Sequence, residues 1–196
     1  MNLTVDKPAV RSRKRWTVAE YYDAIDRGLF AKQRVYLYHG ELIEMPVMGA
    51  LHLRAIKVLN IWLVRTFDPE FSVGCQTPLE LPDGTVPEPD GLVTTLEQDA
   101  RQPCPNAAVL VVEISDSSLK LDHEMAFDYA AAGVPEYWIV NVRDQNIEVF
   151  RDPVPDPAAP PGFGYASRRI ARPGETISPL AKPHLTVAVE NLTSVS

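Results

Sequence analysis

Apolar and polar positions along the chain alternate in a way that separates helices from strands before any single residue is considered. Thr17-Val18-Ala19-Glu20 is a capping-box pattern, with Trp16 before it and Tyr21 after it placed as a hydrophobic staple, and it predicts a helix over 18–26 that ends before Gly28. Segments 34–38 and 41–45 flank His39-Gly40 and read as a tight β-hairpin. Leu53, Ile56, Leu59, Leu63 and Phe67 recur at helical spacing, so 51–66 is expected to be a long amphipathic helix with His52 at its start. A strand over 71–77, a turn-rich stretch over 78–89, an extended segment over 90–94 and a strongly apolar strand over 107–114 follow. Asp116-Ser117-Ser118 leads into a helix over 121–132, stopped by Gly133 and Pro135. Strands over 136–142 and 147–151 form a second hairpin around Arg143-Asp144-Gln145-Asn146. The proline-rich segment 152–164 reads as an exposed surface loop, followed by short strands over 165–170 and 175–177. This order fits an α/β or α+β domain with a mixed sheet and helices packed against it.

Two of these segments carry chemistry. Val86-Pro87-Glu88-Pro89-Asp90-Gly91-Leu92-Val93 and Ala107-Ala108-Val109-Leu110-Val111-Val112-Glu113-Ile114-Ser115 each set an acid within or beside an apolar strand. An ionised carboxylate left unpaired there costs several kcal/mol at least, so a bound cation or a charged partner is the natural compensation. Asp90 and Glu113 on neighbouring strands would make a divalent-metal site. Plainer readings stand beside this one. Asp90 after Pro89 suits a turn, Glu113 could pair with a buried arginine, and His52 could be an ordinary helix-start residue. Ser115, Ser117 and Ser118 suit capping better than nucleophilic attack, because no His and Asp arrangement accompanies them. Tyr129, Tyr137 and Trp138 suit a core or an interface.

Composition narrows the class. At 196 residues, 45% hydrophobic and 23% charged, the chain suits one soluble domain with a sizeable core. No apolar run approaches a membrane span and the start lacks the apolar stretch of a secretory signal, so a cytoplasmic location is expected. Cys75 and Cys104 are too few for a disulfide framework, and the scattered His39, His52, His123 and His184 do not suggest a zinc centre. A net charge of −7 argues against a broad basic face for duplex nucleic acid. Arg11-Ser12-Arg13-Lys14-Arg15 is a local basic cluster, read as a flexible solvated arm over 1–15 that could touch phosphates. Residues 16–182 are expected to form the domain and 183–196 a tail.

Pro89-Asp90, Glu113-Ile114-Ser115 and the run from Tyr129 through Gly133-Val134-Pro135-Glu136-Tyr137-Trp138 resemble the Uma-two family of "putative restriction endonucleases". Trp16-Thr17-Val18-Ala19-Glu20, the hairpin Gly40-Glu41-Leu42-Ile43-Glu44-Met45 and the helix bearing His52 match it too. The family in turn resembles the PD-(D/E)xK nuclease superfamily. That resemblance implies a restriction-endonuclease-like α/β fold, a central mixed sheet flanked by helices, and an endonuclease that hydrolyses phosphodiester bonds of nucleic acid, with DNA as the expected partner. It implies Mg²⁺ or Mn²⁺ held by Asp90, Glu113, the backbone carbonyl of Ile114 and Glu41, with His52 and Ser115 as further site residues; Lys120 joins the catalytic candidates on proximity alone, at a place that does not match the family. Hard oxygen ligands suit such a cation, which lowers the pKa of an attacking water and stabilises charge on phosphate.

One departure stands out. The superfamily's lysine two residues after the second acid is Ser115 here, and a family lysine on the following helix falls at Met125 or Ala126. Lys120 is the nearest lysine, expected to reach in from the loop. A different class therefore stays open: a nuclease-fold module that has lost catalysis and acts in nucleic-acid or protein binding. A small-molecule enzyme on the same sheet is a third reading, since fold does not fix function. A symmetric dimer, with the Tyr137-Trp138 hairpin as a contact, would suit a nuclease that cuts both strands.

Overall fold

The computed structural model describes residues 13–101 and 104–194. At its centre is a six-stranded sheet in the order β3-β4-β5-β6-β7-β8, formed by Phe71–Gly74, Gly91–Thr95, Leu110–Ser115, Glu136–Asn141, Asn146–Pro155 and Phe163–Ala171. Only β5 and β6 run parallel; the remaining neighbours in this sheet are antiparallel. A parallel pair cannot be joined by a tight turn, and α4 (Leu119–Ala131) supplies the crossover between β5 and β6. A separate hairpin of β1 (Val35–Tyr38) and β2 (Glu41–Glu44) touches the 86 region through Leu37 and Val86. The chain is thus an α/β domain built on a mixed sheet, with helices on both faces.

Strand alternation sorts the core into two layers. Val93, Leu110, Val112, Ile114, Trp138 and Val140 face α2 (Ala50–Phe67), where Ile56, Leu59, Leu63 and Phe67 are buried. Val111, Tyr137 and Ile139 face the opposite way, against Met125, Ala126 and Tyr129 of α4. Glu113 lies in the same alternation as Val111, so its side chain is delivered to the α4 side. Trp138 stacks on Trp62 with centroids 5.6 Å apart, and both Tyr137 and Trp138 are fully buried. The two rings suggested as a dimer contact are therefore spent on the core and offer no exposed surface.

Local signals set several boundaries. In α1 (Val18–Asp26) the Thr17 and Glu20 side chains cap reciprocally, as the pattern predicts. The hairpin turn places His39 at φ 47° and Gly40 at φ 79°, the left-handed pair that a two-residue hairpin of this hand demands.

Elsewhere the sequence reading needs correction. The proline-rich loop is shorter than 152–164, because β7 continues to Pro155 and pairs Pro153 with Tyr165 and Pro155 with Phe163. Beyond Arg151 the strand no longer has β6 beside it, so a proline lacking its N–H forfeits no bond on that side. An unexpected short helix, α3 (Leu96–Arg101), follows β4, with Thr95 Oγ1 accepting the N–H of Gln98. The presumed tail carries β10 (Val187–Ala188) paired with β9 (Thr176–Ile177), then α5 (Val189–Thr193), and it buries Val187, Val189 and Leu192 in the α2-side core. Of the basic arm, residues 1–12 lie outside the described residues. Lys14 pairs with Glu20 at 2.6 Å and Arg15 donates to the carbonyl of His39 at 2.8 Å, so the end of the arm is docked on the hairpin. No helix among the described residues is long and apolar enough to cross a membrane.

Candidate active site

Asp90 enters the site from the residue just before β4. Pro89 precedes it with its carbonyl held by the N–H of Gln76, and Gly91 follows it under α2. A Cβ at Gly91 would sit 2.7 Å from Leu63 Cδ1, so only glycine lets α2 pack this closely over the acid-bearing segment. The Asp90 backbone N–H donates to Glu113 Oε2 at 3.2 Å, while Asp90 Oδ2 accepts the N–H of Ile114 at 3.0 Å. The two acids are thus locked to each other through the adjoining main chain. On the helix side, His52 Nε2 lies 3.1 Å from both carboxylate oxygens of Asp90.

Among the described residues Glu113 has no arginine partner. Tyr129 O–H donates to its Oε1 at 3.0 Å and the Asp90 N–H to Oε2. Burial, then the charges of Asp90 and Asp122, push its pKa well above the ordinary carboxylate range against the opposing pull of those two donors. Asp122, from the first turn of α4, accepts from Ser118 Oγ at 2.8 Å and from the Ser115 hydroxyl. Burial raises its pKa, and the Asp90 charge adds to the rise. The His52 pKa is raised chiefly by its bond to Asp90, against the lowering effect of burial.

Asp90, Glu113, Asp122 and His52 line a cleft of about 200 Å³, together with Arg34, Tyr36, Glu44, Gln76, Glu88 and Met125 among others. Gln76 sits in the left-handed region at φ 50°, a strained conformation for a residue with a side chain.

The expected site residues separate into two groups. Asp90, Glu113, Ile114 and His52 come together in the cleft, and Ser115 lies buried beneath it on Asp122. Lys120 does not: its side chain is 93% exposed and faces Glu124 at 3.7 Å. Asp122 and Met125 occupy the inward face of α4, and Lys120 is two residues, about 200°, out of phase with Asp122. Glu41 is exposed beside the hairpin turn, opposite Tyr38, and does not line the cleft; Glu44, at the other end of β2, does. Of the two positions where a family lysine would fall, Met125 lines the cleft, whereas Ala126 does not. Asp122, Tyr129, Arg34 and Gln76 were missed as site residues. Only the spacing of Asp122 to Met125 and Tyr129 hinted at the first two.

A second group outside this cleft brings potential ligand atoms of His39, Asp83 and Asp128 within 4.8 Å of one another. His39 Nδ1 is 2.9 Å from Asp83 and Nε2 is 3.4 Å from Asp128, so each ring nitrogen faces a carboxylate. That arrangement reads as a polar bridge between the hairpin, the 81–85 turn and α4.

The fold is similar to a solved structure from Anabaena variabilis ATCC 29413, described as that of "a putative nuclease belonging to DUF820", with a TM-score of 0.68, 13% identity, and coverage of 91% of this chain and 97% of that one. At this identity the likeness concerns the fold alone. A comparison with curated proteins gives no match. The family model of Uma2, described as "Putative restriction endonuclease", matches residues 18–190, nearly the whole domain with both acid-bearing segments, and on that match the chain belongs to this family.

Proposed function

We propose that this chain is a divalent-metal-dependent nuclease that hydrolyses phosphodiester bonds, with DNA as substrate and the cytoplasm as its place of action. The observation that carries this reading is the convergence of Asp90, Glu113 and Asp122 on one cleft, where burial and the Asp90 charge oppose ionisation of Glu113 and Asp122 and His52 is the basic group bonded to Asp90. A divalent cation fits that excess of negative charge, and the donors are hard oxygens suited to Mg²⁺ or Mn²⁺. Asp90 and Glu113 would hold it, with the Ile114 carbonyl beside them. When bound, the ion would supply Lewis acidity toward a phosphate oxygen and toward water.

The remaining roles fall to this chain's own groups. His52 orients the Asp90 carboxylate, and Tyr129 favours the ionised form of Glu113 by donating to it. Asp122, whose pKa is raised, is the carboxylate left to accept a proton from an attacking water.

Met125 at the cleft wall, together with the outward Lys120, favours a second reading in which the chain binds nucleic acid without cutting it. Incubation of single- and double-stranded DNA and RNA with wild type and Asp90→Asn, in Mg²⁺ or Mn²⁺, separates the two. Cleavage that requires both Asp90 and metal supports the nuclease. Folded, metal-bound wild type that cuts nothing supports the binding module. Metal binding that survives Asp90→Asn would point instead to the His39, Asp83 and Asp128 group.

A further inference from the structure

Arg34 bears the permanent positive charge among the described residues that line the cleft; the other basic group there, His52, is committed to Asp90. Its main chain is fixed, since its carbonyl accepts the N–H of Met45 at 2.8 Å just before Val35 enters β1. The side chain is half-exposed, and its Nη2 rests on Glu88 Oε2 at 2.8 Å. Glu88 lies between Pro87 and Pro89, two residues before Asp90. Their Cα atoms are therefore at most about 7 Å apart, and the guanidinium is held beside the acid cluster by covalent connection. The same pair also lines a neighbouring hollow with Tyr21, Ile25 and Phe30, so it forms the partition between the acidic cleft and a second space along the surface.

A single half-exposed pair of this kind contributes modestly to stability, and a guanidinium pairs with phosphate as readily as with carboxylate, through two parallel N–H bonds. We propose that Arg34 is the phosphate-contacting cation of this cleft and that Glu88 is its placeholder, displaced when a nucleic-acid phosphate enters. The pair then acts as a gate with a defined chemistry: one anion leaves the guanidinium as another takes its place. This role rests on the nucleic-acid reading of the cleft but not on cleavage.

The test is binding of a labelled DNA oligonucleotide, with Ca²⁺ replacing Mg²⁺, by wild type, Arg34→Ala, Arg34→Lys, Glu88→Gln and the double variant Arg34→Ala with Glu88→Gln, each checked for folding by thermal melting. Arg34→Ala should weaken binding about tenfold and reduce the salt slope by about one, with partial recovery in Arg34→Lys. Glu88→Gln, which removes the competing carboxylate, should tighten binding, and that gain should vanish in the double variant. Binding by wild type that Arg34→Ala leaves unchanged overturns the proposal, as does Glu88→Gln weakening binding as much as Arg34→Ala. Arg34-dependent binding without Mg²⁺-dependent cleavage upholds the role of Arg34 and overturns only the nuclease. Absence of any binding by wild type overturns both.

Discussion

Asp90 and Glu113 hold each other through the main chain: the Asp90 N–H donates to Glu113 Oε2 at 3.2 Å, and Asp90 Oδ2 accepts the N–H of Ile114, the residue after Glu113, at 3.0 Å. This reciprocal lock holds the acid just before β4 against the acid on β5, where the Asp90 charge helps to raise the Glu113 pKa. Their repulsion is therefore stored in the folded state and is available to a metal ion.

The first prediction follows from that repulsion. The Glu113 pKa is raised well above its ordinary value of 4.5, so the native state binds more protons than the unfolded chain in the interval between the two values. Stability is full below the ordinary value and is lost as pH rises toward the folded one. Glu113→Gln should remove much of this decline, and Asp90→Asn with Glu113→Gln should melt no lower than wild type at neutral pH while abolishing Mg²⁺-dependent stabilisation. Thermal melts across pH, with and without Mg²⁺, measure both effects. A double variant that unfolds would show the acids to be structural partners.

His52 gives a slope of its own. Its folded pKa lies above the ordinary 6.5, so the stability contributed by its bond to Asp90 is present below that value and is lost as pH rises through the folded pKa. His52→Asn should flatten the melting profile in this window. As an outer partner of a metal-holding carboxylate, the same change should weaken Mg²⁺ binding by about 10- to 100-fold. Unchanged affinity, measured by calorimetry, would reduce His52 to a helix-start residue.

Much of the fold was legible because its signals are local. The Thr17 and Glu20 capping box and the His39-Gly40 turn each depend on a few consecutive residues, and the structure contains both. Asp90 and Glu113 stood out because acids in apolar strand segments are costly wherever the strands go. What escaped depends on tertiary placement. Whether Lys120 or Asp122 faces the sheet is a question of the phase of α4, set by how Met125 and Tyr129 dock. Glu41 and Glu44 sit on the same strand, and only the position of the hairpin against the cleft selects Glu44. Pro153 and Pro155 read as breakers, yet they continue β7 once β6 has ended. Val187, Val189 and Leu192 form too short a pattern to announce that they close the core.

Tyr129 tests how proton and metal compete at Glu113. Its O–H is 3.0 Å from Glu113 Oε1 and favours the charged carboxylate. Tyr129→Phe should raise the Glu113 pKa further, so Mg²⁺ must displace a more tightly held proton. Apparent Mg²⁺ affinity should fall by about tenfold at neutral pH and approach wild type as pH rises. A loss of equal size at every pH would mean that Tyr129 acts on packing alone.

Met125→Lys addresses the absent lysine directly. Met125 is only 5% exposed, lines the cleft and shares the inward face of α4 with Asp122 and Tyr129. A lysine there would be buried, but the nearby carboxylates of Asp90, Glu113 and Asp122 would compensate its charge, so the variant should fold. One well-placed charge beside a developing anion can contribute 10²-fold or more, and a Mg²⁺-dependent cleavage rate at least about tenfold above wild type is expected. Ala126→Lys makes the contrast: Ala126 shares with Met125 the apolar cluster of Leu79, Tyr129 and Tyr137 but does not line the cleft. A lysine at that position lacks compensation and should cost about 2 kcal/mol or more of stability without raising activity. Cleavage assays and melts on the two variants decide the matter, and a folded Met125→Lys protein that binds Mg²⁺ and DNA yet cuts nothing would favour the binding module over the nuclease.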